Sequence, residues 1–196
     1  MDKKTLIKNT AIELFKKTGQ VTVREVSKAC NVNVASINYY FGNKRNLMHE
    51  IEKQMVDNLQ GFIVEIQSEE RSLDESVALF IEKIMFFIVE APGFFKYLIN
   101  DFARHELNDL EILRTEINSG LFYNFMLDLI VKSTGLEDED EIRNRFTIFF
   151  TSLSASAFIL VNKMRFDDEE DYMVSQIADV NKYKDYMQAL FRLILK

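Results

Sequence analysis

Between residues 22 and 44 the chain carries Thr22-Val23-Arg24-Glu25, then Asn33-Val34-Ala35-Ser36-Ile37-Asn38-Tyr39-Tyr40-Phe41, then Gly42-Asn43-Lys44. Hydrogen-bonding side chains and small residues dominate this stretch. If 34–41 is helical, Ile37 and Phe41 share one face and turn inward, leaving Val34, Ala35, Asn38 and Tyr39 to face outward. Small residues at the start of such a helix let the backbone approach base edges in a DNA major groove. Asn38 can pair with adenine or hold a phosphate, and Tyr39 and Tyr40 present hydroxyls to phosphates over an apolar body. Lys44 adds a cation where the next helix begins, beside the partial positive charge of that helix end.

Little in the remaining sequence suits catalysis. His49 and His105 are the only two histidines, and neither stands at a metal-ligand spacing. There is no glycine-rich phosphate loop and no nucleophile motif. Cys30, the one cysteine, falls in an apolar stripe and reads as a buried structural thiol. The acidic runs at 137–141 and 167–171 lack the alternating ligands and central glycine of a calcium loop, so they read as solvated connections. The expectation is a protein with no catalytic residues, no metal and no cofactor.

Charge distribution supports recognition of a polyanion at one end. The net charge is -7, yet residues 1–50 hold nine Lys or Arg against four Asp or Glu, leaving +5 there and -12 in the remainder. A basic head on an acidic body binds a polyanion through the head while the body is repelled from it.

The elements that position these residues are helices throughout, because one proline and six glycines interrupt a chain with 47% apolar residues and no sustained alternation. Leu6, Ile7, Ala11, Leu14 and Phe15 predict a first helix over about 3–18, stopped by Gly19. Thr22 with Glu25 three residues on forms a capping box opening a second helix with Val23, Val26 and Cys30 on its apolar face. Asn31 tolerates the positive φ of a tight turn, Asn33 caps a third helix, and Gly42-Asn43 ends it and caps a fourth. Helices two and three thus have the lengths and turn of a helix-turn-helix. Leu47, Ile51, Met55, Leu59, Phe62 and Ile66 make the fourth helix long enough to link head and body. A fifth runs from Leu73 to Ile88 and a sixth from Phe94 to Phe102. Leu110, Leu113, Ile117, Leu121 and Phe125 predict one seventh helix, Ile142 to Met164 an eighth, and Tyr183 to Ile194 a ninth.

The motifs Thr22-Val23-Arg24-Glu25-Val26, Asn31-Val32 and Ile37-Asn38-Tyr39-Tyr40-Phe41-Gly42-Asn43-Lys44-Arg45-Asn46-Leu47 resemble the N-terminal domain of the TetR family of regulators. The match spans roughly residues 3–50. By that resemblance Thr22, Tyr40 and Lys44 contact phosphates, and the outer face of the third helix reads bases. Arg24 stands where some members place a base-reading arginine. Asn31 replaces the usual turn glycine, and Asn38 replaces a frequent aromatic.

Fifteen of the 17 phenylalanines lie from Phe62 onward, and they either line an apolar cavity or fill a core. Asn118 and Asn124 share stripes with Phe122, Phe125, Ile117 and Leu121, where a buried amide needs a partner: a ligand, a backbone carbonyl or a water. The family resemblance implies a small-molecule site in this region, with Phe87, Phe102, Asn118, Phe122, Asn124 and Phe125 as its candidates. The segment 146–161 is apolar on nearly every face, and Thr151 to Ala157 supplies small side chains. It suits a helix buried on two sides, pairing with its copy through the eighth and ninth helices.

The fold class is therefore all-α, with a helix-turn-helix DNA-binding domain at 1–46 and a helical effector-binding and dimerisation domain at 47–196. The function expected is a cytoplasmic, sequence-specific, homodimeric transcription regulator outside any membrane. It binds a double-stranded DNA operator as a repressor and is released by a small apolar or amphipathic effector. The alternative is a ligand-independent DNA-binding regulator or chromosome-organising protein with a solid body.

Overall fold

In the computed structural model, residues 2–104, 111–163 and 179–196 are described, the side chains of 99–104, 163 and 180 excepted. Among them every regular element is a helix. These are α1 (Lys3–Thr18), α2 (Val23–Cys30), α3 (Val34–Phe41), α4 (Lys44–Gln67), α5 (Leu73–Glu90), α6 (Pro92–Arg104), α7 (Glu111–Ser119), α8 (Leu121–Thr134), α9 (Glu139–Lys163) and α10 (Val180–Ile194). They form two compact units, one of Met1–Asn58 with Glu90–Thr115, the other of Leu59–Val89 with Glu116–Lys196.

Short polar side chains set the boundaries of the first unit. Asp2 accepts the Thr5 amide at 2.9 Å and opens α1, and Gly19 closes it at φ 73°. The capping box at Thr22 and Glu25 is present, and Asn31 ends α2 at φ 52°. Asn33 accepts the Ser36 amide at 2.7 Å and Asn43 accepts that of Asn46 at 2.9 Å, starting α3 and α4. Ile7, Ala11, Phe15, Val26, Ile37, Phe41 and Leu47 form the core beneath these helices.

The C-terminal end of α1 meets the start of α6 without a gap. A Cβ on Gly93 would overlap the carbonyl oxygen and amide of Phe15 and Gly19 and lie 2.8 Å from the Lys16 carbonyl, so only glycine permits this approach. Beside it the rings of Phe15 and Tyr97 meet edge to face, centroids 5.2 Å apart.

The second unit is built around aromatic rings. Phe80 on α5 has ring centroids of Phe125, Phe191, Phe122 and Phe149 at 5.5, 5.7, 6.2 and 6.3 Å. On α9 and α10, Ser156 and Tyr183 share a buried hydrogen bond of 3.0 Å, and burial pushes the Tyr183 phenol up beyond its ordinary range. By length and composition α9 would suffice to cross a bilayer. Its buried side chains Phe146, Phe149, Leu153, Ala157 and Leu160 instead serve as a core stripe in this unit.

Several expectations need correction. The single helix predicted from Leu110 to Phe125 breaks at Gly120, whose backbone is extended at φ -80° and ψ -169°. Glu116 causes the break: its Oε1 accepts the Phe122 amide at 2.6 Å and caps α8, while Oε2 accepts from Gln60 Nε2 at 2.7 Å. Its side chain also fills the space a Cβ on Gly120 would need. Because the helix is interrupted, Asn118 and Asn124 do not continue an inward stripe, and both are exposed. Cys30 is half-buried, its thiol 3.9 Å from the Leu6 carbonyl. Glu139, Asp140 and Glu141 belong to the first turn of α9, where their charge suits the helix dipole. The acidic run 167–171 and His105 lie outside the described residues.

Candidate nucleic-acid interface

The helix pair α2 and α3 is anchored by the apolar residues Val26, Ile37 and Phe41, which leaves the opposite side of α3 open to solvent. Ile37 and Phe41 are 1% and 6% exposed, whereas Tyr39 is 83% exposed and Val34, Ala35 and Asn38 also face solvent. The outer face of α3 is therefore the one the sequence pattern required. Tyr40 is half-buried, and its ring lies edge-on to that of Tyr39 with centroids 5.1 Å apart. Each tyrosine thus restricts the other before any partner arrives.

The turn between the two helices is held by side chains. Ser27 donates its hydroxyl to the Val32 carbonyl at 2.6 Å, and the Val32 amide donates to the Ser27 carbonyl at 3.1 Å. This fixes the angle at which α3 leaves α2. Lys8 and Glu50 pair at 3.3 Å, tying α1 to α4.

Thr22, Arg24 and Lys44 are exposed at the starts of α2 and α4. The Thr22 hydroxyl and amide hold the Glu25 carboxyl below its usual range, and Lys44 lies close enough to lower it further. The charge of Lys44 at the start of α4 is thus felt at the start of α2. Exposed helix starts and a lysine suit phosphates.

The candidate ligand residues are only partly brought together. Phe122 and Phe125 share the ring cluster about Phe80, and Phe87 is buried against Phe62 with centroids 6.2 Å apart. Phe125 also borders an open cleft of about 420 Å³ with Ile66, Arg71, Leu129 and Lys132. The Asn124 amide donates to the Ser119 and Gly120 carbonyls at 3.1 and 2.9 Å, so its hydrogen bonds are local. The side chain of Phe102 is outside those described.

Sequence reasoning missed two buried carboxylates. Glu52 is 5% exposed on α4; its Oε1 accepts the Leu113 amide at 2.9 Å, its Oε2 has no hydrogen-bond partner, and His49 Nδ1 is 3.8 Å away. Burial raises its pKa, against the opposing pull of the α7 amides and His49. Glu116 is the other. The signal in sequence was position: both glutamates lie on otherwise apolar stripes of their helices. Among the described residues no group of His, Cys, Asp and Glu could hold a metal ion.

An exposed helix, α3, braced by a partner of equal length and flanked by basic helix starts is the arrangement of a helix-turn-helix DNA-binding head. Residues 7–51 match the family model for bacterial regulatory proteins of the tetR family. The chain has the fold of a tetR-family transcriptional regulator from Streptomyces coelicolor, known from a crystal structure. The TM-score is 0.67 at 16% identity, covering 98% of this chain and 87% of that one. Comparison with curated protein sequences gives no significant match. The family model thus covers the helix-turn-helix at residues 7–51, and the structural match shows a shared fold for the rest.

Proposed function

We propose that the chain is a homodimeric repressor whose two α3 helices enter successive major grooves of an operator, about 34 Å apart. The observation that carries this is the outer face of α3, exposed along Val34, Ala35, Asn38 and Tyr39 while Ile37 and Phe41 anchor the opposite side. Arg24 adds a base contact, and Thr22, Tyr40 and Lys44 hold phosphates. Residues 1–46 do the reading and 47–196 the dimerisation and response, and the protein works in the cytoplasm without catalysis.

A second copy is the partner that best suits α9 and α10. A groove of about 740 Å³ runs between them, bordered by Ile148, Ser152, Tyr186, Ala189, Leu190 and Leu193. Ile148 and Leu193 are 56% and 77% exposed, an apolar display that a symmetric partner would cover. The central small residues of α9 allow close helix approach there.

Release by an apolar or amphipathic effector near Phe87, Phe122 and Phe125 is supported by the continuity of α4 from Lys44 to Gln67. A ligand moving the far end of one helix moves its DNA end. The close ring contacts about Phe80 favour the second reading, a regulator with a solid body and no effector. A thermal-shift screen with small apolar and amphipathic compounds, followed by operator affinity with each hit, separates them. DNA binding is tested by salt titration of duplex affinity: Lys44→Ala lowers the slope by about one unit and weakens all sequences alike, whereas Arg24→Ala changes sequence preference. Equal, uniform losses in the two variants would remove the base-reading role from Arg24.

A further inference from the structure

The sequence of α3, from Val34 to Phe41, contains no Lys, Arg, Asp or Glu. In the major groove guanine is read by the donors of Arg or Lys and cytosine by a carboxylate, so α3 lacks the side chains that select a G·C pair. The polar groups at its start are already committed. Asn33 Oδ1 accepts the Ser36 amide at 2.7 Å and the Ser36 hydroxyl at 2.8 Å, which holds both side chains in the cap. What the helix shows to solvent is Val34, 39% exposed, with Ala35, Asn38 and Tyr39. A tyrosine hydroxyl both donates and accepts, so Tyr39 by itself distinguishes no base. Asn38 offers a donor and an acceptor side by side, the complement of adenine N7 and its N6 amino group. Val34 and Ala35 offer methyl groups of the kind that meet the thymine methyl.

We infer that α3 reads A·T base pairs: Asn38 pairs with an adenine while Val34 and Ala35 cover the methyl of a neighbouring thymine. This rests on the DNA-binding reading above and names the half-site that the interface accepts. Val34 and Ala35 precede Asn38 and Tyr39 by one helical turn, about 5.4 Å against about 3.4 Å per base pair, so the two contacts fall on neighbouring pairs. The half-site therefore holds at least two consecutive A·T pairs under α3. Arg24 carries the fork that suits guanine, but it belongs to α2, so a selected guanine lies beside that run and not within it.

Enrichment of A·T pairs has a second physical source, because a narrow or easily deformed duplex is favoured by its shape with no base edge touched. Bases altered only at the edge separate the two. Duplexes bound by the purified chain are selected from a random pool. Affinity for the enriched site is then measured with 7-deazaadenine in place of adenine, or uracil in place of thymine, one position at a time. Removing N7 from the contacted adenine weakens binding about tenfold in the unaltered chain and not in Asn38→Ala. Removing the neighbouring thymine methyl weakens it about fourfold, the factor for one buried carbon, and Val34→Ser combined with Ala35→Ser abolishes that difference. All three side chains are exposed, so these substitutions leave the core of the head intact. A half-site enriched in G·C pairs under α3 overturns the inference. So does an A·T-rich half-site whose affinity ignores N7 and the methyl, or falls equally in the unaltered chain and the variants. A chain that binds no duplex at any salt instead removes the DNA-binding reading on which the inference stands.

Discussion

Alanine in place of glycine at Gly61 and at Gly93 is one chemical change in two helices, and the surroundings give it opposite signs. Gly61 lies inside α4, and a Cβ there would have no heavy atom within 4 Å beyond its own helix. Alanine then contributes only its better helix propensity, about 1 kcal/mol. For a chain of this size that raises the melting temperature by about 2–4 °C. At Gly93 the same methyl group overlaps backbone atoms of Phe15 and Gly19 at the end of α1, and backbone cannot step aside as a side-chain tip can. Overpacking of this kind costs about 1–3 kcal/mol, and a residue in the first turn of α6 recovers little of it through propensity. A net loss of about 2 kcal/mol lowers the melting temperature by about 4–8 °C. Thermal denaturation followed by circular dichroism reads both variants in one experiment. The α1–α6 contact is misjudged if Gly93→Ala melts at or above the unaltered protein, and the open space at Gly61 is misjudged if Gly61→Ala melts clearly below it.

Glu52→Gln tests the buried carboxylate. Its raised pKa means the unfolded chain binds fewer protons than the folded one above the usual carboxylate value of 4.5, so stability falls as pH rises through the folded pKa. The melting temperature of the unaltered protein should therefore drop relative to Glu52→Gln from acid toward neutral pH, and parallel curves would contradict the assignment. Leu193→Asp places a charge on the most exposed apolar residue of α10 and should raise the dimer dissociation constant at least about tenfold, as read by sedimentation. An unchanged dimer would move the interface elsewhere. Phe80→Ala empties the centre of the ring cluster and should cost about 3–5 kcal/mol in chemical denaturation, whereas a loss below about 1 kcal/mol would mean the rings are loosely packed.

The head was readable residue by residue because local chemistry decides it. Gly19, Thr22 with Glu25, Asn31, Asn33 and Gly42-Asn43 each act within four residues of themselves, and each takes the role its type suggested. The body was less legible because distant partners decide it. Ile117, Leu121 and Phe125 keep helical spacing straight through Gly120, yet the Glu116 carboxylate reaches forward to cap α8 and takes a second bond from Gln60, far off in sequence. The polarity of Glu52 likewise says surface, and only the nearby start of α7 explains its burial. Asn118 and Asn124 were placed by extrapolating a stripe across the break. The aromatic content announced a cluster but not whether its centre would be filled.

Selection of bound fragments from random duplex DNA by the purified chain tests the central claim most directly. The account predicts enrichment of a palindrome whose half-sites lie about one helical turn apart, lost when Asn38 and Tyr39 are both changed to alanine. Enrichment of no sequence over the starting pool, or a palindrome indifferent to Asn38 and Tyr39, would contradict it.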